Sequence, residues 1–241
     1  MIIINFFKNL KVSKYTYLIV LLACITGQIK DLLGLIIIIL SHEFGHYFMS
    51  YLLKWNIDKI YIYPFGGLIK YNEKIDKPFI EELLITISGP LNQFLVYFIF
   101  YILFTNYLIN DYFFNIIKNY NYSIILFNLI PIIPLDGSKI INILLNKLFS
   151  FRKSYMILNI ISIIMLIILI FKCNISLIIV ILFLIYKIYL NLKNKNFIFS
   201  RFILEKYLYP NDYKKIYFIN KESDMKRNRY NIKKHINNNM F

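Results

Sequence analysis

The stretch Ser41-His42-Glu43-Phe44-Gly45-His46 sits inside an apolar run from Leu32 to Leu53. Residues four apart share one face of a helix, so His42 and His46 can present two imidazoles to one metal ion, with Glu43 beside it. Neutral imidazole suits zinc, and a carboxylate next to a zinc-bound water can take its proton. The chain holds three histidines in all, which makes a chance match to this pattern a weak explanation. Ionisable residues inside a membrane helix are costly and mark a functional site by default.

The composition extends that reading to the whole chain. Of 241 residues, 59% are hydrophobic and 17% charged, and mean hydropathy is +0.57, a balance outside the range of soluble domains. The fold expected is an all-α polytopic membrane protein of about six transmembrane helices, with a small β-hairpin after the second. The abundance of Lys and Asn is ascribed to biased residue usage, and no nucleic-acid partner is expected. Cys24 and Cys173 lie in or at the edge of apolar segments without Cys-x-x-Cys spacing, so they read as packing residues. Met1 to Tyr17 shows no small-residue cleavage site, and no removed signal peptide is expected.

Spans are expected at about Tyr15 to Ile29, Leu32 to Leu53, Glu81 to Phe104, Tyr120 to Ile133, Tyr155 to Phe171 and Ile175 to Leu192. Between the second and third, Ile57 to Tyr63, Pro64-Phe65-Gly66-Gly67 and Leu68 to Tyr71 read as a hairpin. Its edge could pair with an extended peptide; a surface hairpin without a partner is the alternative. In the third span Ser88-Gly89-Pro90 bends or loosens the helix, and Asn92 and Gln93 read as hydrogen-bonding groups between helices. A polar loop is expected at Asn106 to Lys118. The prolines of Asn128-Leu129-Ile130-Pro131-Ile132-Ile133-Pro134-Leu135-Asp136-Gly137, three apart, break the fourth span's end. Irregular backbone at membrane depth belongs within protein or beside a watered cavity. Asp136 could therefore complete a two-His, one-carboxylate site with a position open for water; an ordinary Asp-Gly turn is the alternative. Ser138 to Phe149 reads as a short amphipathic helix and the last two spans as scaffold.

Charge sets the expected topology. With six spans and the amino end inside, 24 basic residues face the cytoplasm and three face outward, so both termini of this multi-pass cell-membrane protein are expected in the cytoplasm. A membrane domain over residues 1–192 is then followed by a basic cytoplasmic tail, 193–241. The tail carries 12 basic and 4 acidic residues and is expected to lie against anionic lipid. His46 falls roughly 10 Å along its helix from the cytoplasmic end, at about 1.5 Å per residue, and Asp136 is also at a cytoplasmic helix end.

Together, His42-Glu43-Phe44-Gly45-His46, Pro64-Phe65-Gly66-Gly67, Ser88-Gly89-Pro90 and Asn128 through Gly137 resemble the motifs of the site-2 protease family of intramembrane zinc metalloproteases. The resemblance covers about residues 15 to 192 and is greatest to the sporulation branch, which processes a sigma-factor precursor. It implies one zinc ion held by His42, His46 and Asp136, Glu43 as general base, and Asn128 as a residue that helps hold the substrate. That substrate is implied to be a membrane-associated protein cut near the cytoplasmic face, and inhibitory membrane partner proteins are implied as well. Ser138 stands where the family often has a second Gly, and Gln93 takes the place of the amide that follows its Gly-Pro motif. Members of the branch usually carry a nucleotide-sensing CBS domain after the sixth helix; the 49 residues from Lys193 are too few for a paired module.

A substrate helix must be extended before water can attack it, and its freed backbone groups then need partners. The Ile57 to Tyr71 hairpin is expected to supply them, with Ile60 and Ile62 as edge donors, Gly66-Gly67 allowing close approach and Asn128 assisting. A function of another class is a polytopic metal transporter or metal-dependent membrane binding protein. Transport paths show polar residues on several spans, and the fifth and sixth here have almost none. An inactive peptide-binding relative fits less well, because ligands and base are all present.

Overall fold

The computed structural model describes residues 2–63, 66–171, 177–209, 213 and 215–233. Pro64 and Phe65 of the expected turn, and the expected 172–174 connection with Cys173, lie outside the described residues. The chain divides into two compact units, Met1–Glu73 with Leu83–Asn128, and Lys74–Glu82 with Leu129–Phe241.

The first unit contains α1 (Ile2–Lys8), β1 (Leu10–Val12), α2 (Lys14–Ile25), α3 (Ile29–Leu52), β2 (Ile57–Tyr63) and β3 (Gly66–Tyr71), then α4 (Phe79–Thr105) beyond its first turn and α5 (Asp111–Leu129). Its core gathers Phe6, Ile38, Ile39, Tyr47, Ile60, Ile62, Ile117 and Ile124. The expected hairpin is part of a three-stranded sheet in the order β1-β2-β3. Here β1 lies parallel to β2, pairing Leu10 with Ile60 and Val12 with Ile62, while β3 is antiparallel to β2. Phe6 drives that addition by burying its ring edge-on against Phe44 and Tyr47 of α3. The Ser13 side chain then caps α2, and Thr16 donates its hydroxyl to the Ile62 carbonyl.

The polar stretch from Asn106 is helical from Asp111 onward, in contrast to the expected loop. Asn110 accepts the Phe113 N–H with its side chain, Asp111 sits in the first turn, and Phe114 and Ile117 bury one face. Cys24 is exposed on α2. Among the described residues, three helices are long and apolar enough to cross a membrane: α3, α4 and α7 (Phe151–Phe171). The chain is thus a mostly helical membrane protein with two small sheets.

The second unit holds the Lys74–Glu82 strap, α6 (Asp136–Leu148), α7, α8 (Ile178–Lys193), α9 (Lys195–Leu208), β4 (Ile216–Ile219) and β5 (Tyr230–Lys233). A polar ladder joins α7 to α8: Tyr155 donates to the Asn191 carbonyl, and Asn191 donates to Asn159. Beyond α8 the described residues 195–209 and 215–233 are folded, with Phe202 of α9 wholly buried among Phe151, Ile219 and Met225 and β4 parallel to β5.

Candidate metal centre

His42, Glu43 and His46 lie on the buried face of α3, each less than 5% exposed. The two imidazoles meet edge to face, with Nε2 atoms 3.1 Å apart. What faces what is decided by the other ring nitrogens. His42 Nδ1 lies 3.0 Å from Gln93 Oε1, and that amide donates its own Nε2 to the Asn121 carbonyl, which fixes oxygen toward the ring. His46 Nδ1 lies 2.7 Å from the Ile85 carbonyl. Both partners are acceptors, so both Nδ1 atoms are placed to donate and each ring turns its Nε2 toward the other. Two lone pairs at that distance repel unless a cation lies between them. Two nitrogens on one tetrahedral zinc, at Zn–N of about 2.0–2.1 Å, stand roughly 3.3 Å apart, so the donor set fits zinc. Asn128, in the last turn of α5, brings its Nδ2 to 3.4 Å from His42 Nε2, on the metal-facing side of the ring.

The supporting helix α4 comes close because small residues permit it. A Cβ at Gly45 would overlap the Ser88 carbonyl, and one at Gly89 would overlap the His46 ring. Asn92 donates to the Ser41 carbonyl, while Gln93, wholly buried, bridges α3 and α5. Sequence reasoning placed Gln93 between helices without seeing that it sets the His42 tautomer. Its place three residues after Pro90 was the available signal.

Glu43 meets the sheet. Its Oε1 accepts the Gly67 N–H at 3.0 Å, and a Cβ at Gly67 would overlap its carboxylate. Ile60 and Ile62, by contrast, are buried in the central strand and present no edge. The Ile60 N–H goes to the Asn9 carbonyl, and the Ile62 carbonyl accepts the Ser13 N–H. Strand β1 has taken the edge that the hairpin alone would have left open. Because Ile60 and Ile62 turn their backbone toward β1, Tyr61 and Tyr63 turn theirs toward Leu68 and Gly66 on β3. The outward backbone groups of β3 are then those of Gly67 and Ile69, and Glu43 sits against the first of these.

Asp136 belongs to the second unit, as the first residue of α6, and is 5% exposed. The turn before it is irregular, as its prolines require: the Leu135 N–H bonds to the Ile132 carbonyl, and the Ile133 N–H bonds to Ser162 Oγ of α7. Lys139, one turn on, places Nζ 2.8 Å from Asp136 Oδ1.

A buried His-Glu-x-x-His pair on an apolar helix of spanning length defines a membrane metalloprotein with the ligand arrangement of a metallohydrolase. Residues 31–118 match the Peptidase family M50 model. The chain is 34% identical over 147 residues to stage IV sporulation protein FB of Bacillus subtilis, covering 61% of this chain and 51% of that protein. It is also 34% identical over 123 residues to a zinc metalloprotease of Methanocaldococcus jannaschii, covering 50% of this chain and 35% of that one. The site-2 protease from Methanocaldococcus jannaschii superposes with a TM-score of 0.58 at 26% identity, over 76% of this chain and 89% of that structure. Over these residues the chain is similar to site-2 proteases, and it spans about half or less of the length of the two relatives matched by sequence.

Replacing Gln93 by Leu removes the acceptor that fixes His42. Loss of such an outer hydrogen-bond partner typically costs 10- to 100-fold in metal affinity, and zinc competition with a chelator should show a drop of about that size. Wild-type affinity in Gln93→Leu would show that the amide only joins helices.

Proposed function

We propose that the chain is an intramembrane zinc endopeptidase that cuts a membrane-associated precursor protein near the cytoplasmic face. The observation that carries this reading is the convergence of two histidine Nε2 atoms 3.1 Å apart beside a buried glutamate. His42 and His46 are two of the zinc ligands, and the buried carboxylate of Asp136 is the third. When bound, zinc polarises the peptide carbonyl and acidifies water. Glu43 takes a proton from the attacking water as the C–O bond forms, then delivers it to the amide nitrogen as the C–N bond breaks. The Gly67 N–H holds that carboxylate in place.

The outer edge of β3 is where an extended substrate docks, adding a strand through the Gly67 carbonyl and the Ile69 N–H and carbonyl with Gly66 at the turn, while the Asn128 amide contacts the peptide beside His42. Ile60 and Ile62 serve this indirectly, as the central strand that holds β3. Likeness to the sporulation protein supports a sigma-factor precursor as the substrate class, and membrane proteins as inhibitory partners. The basic excess on cytoplasmic segments supports six spans with both termini in the cytoplasm, residues 1–192 as the protease domain, and a basic segment, 193–241, against anionic lipid.

Glu43→Gln keeps a hydrogen-bonding side chain but no base. It should retain zinc and lose cleavage of a co-expressed precursor by at least the 10²- to 10⁴-fold typical of general base catalysis; undiminished cleavage would overturn the mechanism. Asp136→Ala should lower both metal content and activity, since a ligand and its charge go together. Full zinc occupancy in that variant would leave Asp136 a turn residue. Ile69→Pro removes an outward N–H from β3, so it should bind zinc normally yet cleave poorly. Normal turnover would sink the docking role.

A further inference from the structure

The Lys74–Glu82 strap joins β3 to α4, and residues far along the chain in the same unit grip it. Asp76 is 4% exposed and pairs with Lys206 of α9 and, at 3.9 Å, with Arg227. Its Oδ1 accepts the Asn228 N–H, its carbonyl accepts the Tyr213 hydroxyl, and the Ile75 N–H goes to Glu205. Arg227, 3% exposed, forks onto both carboxylate oxygens of Glu82, donates to the Lys77 carbonyl and lies over the Phe79 ring. Burial pushes the Lys206 ammonium below the usual lysine range, against the pull of Asp76. Two acids and two bases withdrawn from water are costly to assemble and more costly to break singly. A surface connection of this length needs no such cluster.

The clamped end of α4 leads to the metal ligands. Glu82 is three residues before Ile85, whose carbonyl fixes His46, and Pro90 follows. Proline cannot bond the carbonyl four residues back, so the helix ladder is interrupted between Ile85 and Gln93 and the leading turns are less firmly held by the rest of α4. We propose that Arg227 is a positioning residue for the metal centre: it fixes the first turn of α4 and, through that helix, the Ile85 carbonyl that orients His46. The inference rests on the reading of His42 and His46 as metal ligands. Because Gln93 lies beyond Pro90, His46 depends on the clamp more than His42 does.

The test uses the full-length chain, stripped of metal and reloaded with zinc or cobalt(II). Arg227→Met should weaken zinc about 10- to 100-fold in chelator competition and change the intensity of the visible cobalt bands, which report ligand geometry. Arg227→Lys should restore part of both, and Glu82→Gln should reproduce the defect from the other partner. If Arg227→Met fails to fold, the lysine and Glu82→Gln variants decide the matter. Wild-type affinity and cobalt spectrum in Arg227→Met or Glu82→Gln, even with a lowered melting temperature, would overturn the positioning role and leave a structural clamp. A wild-type chain that binds neither metal would overturn the proposed function first, and the inference with it.

Discussion

Two imidazoles whose Nδ1 atoms are both held by acceptors turn their Nε2 atoms toward each other across 3.1 Å. That opposition is the constraint on which the rest of the first unit depends. Holding two buried rings in that opposition requires partners behind them, since leaving a buried polar group unsatisfied costs on the order of 1–3 kcal/mol. The arrangement holds because α4 supplies an acceptor behind each ring, and α4 comes near enough only where Gly45 and Gly89 leave no Cβ in the way. Gln93 carries the constraint outward to Asn121 on α5. Helix packing and ligand chemistry are here one problem, solved by the same small residues.

Glu43 is held by a different element with a different logic. Glu43 follows His42 on α3, but its carboxylate is received by the backbone of β3. A backbone N–H is a donor whose position is set by strand pairing, with no rotamers to lose. The sheet that sets it runs from β3 through β2 to β1, so the placement of the Glu43 carboxylate reaches back to Leu10–Val12 and to Phe6, which packs with Ile60 and Ile62. A single hairpin in water is marginal; a third strand and an apolar face make it a fixed platform.

Local patterns in the sequence were sufficient for the helix bearing His42, Glu43 and His46, the broken turn before Asp136 and the alternating strands around Gly66. Each is written in residues close to one another. Strand β1 was not legible, because three residues carry no periodicity and its partner lies some fifty positions away. Missing it put Ile60 and Ile62 at an edge that β1 in fact covers. The helix from Asp111 was hidden by its many asparagines, whose polarity suggests a loop while Asn110 is acting as a cap. The folding of residues 195–233 was masked by their charge: Lys206 and Arg227 look like solvated cations until Asp76 and Glu82 are brought to them.

The order in which these parts leave the ribosome matters for when a metal can be gripped. His46 is complete before Gln93 by 47 residues, which at 5–20 residues per second is roughly 2–10 s of synthesis. Until residue 85 has been made neither ring has its Nδ1 acceptor, and until residue 93 has been made His42 still lacks its own. Both acceptors are in place only once α4 has packed against α3, so the fixed orientation of the two rings dates from that packing step and not from the formation of α3.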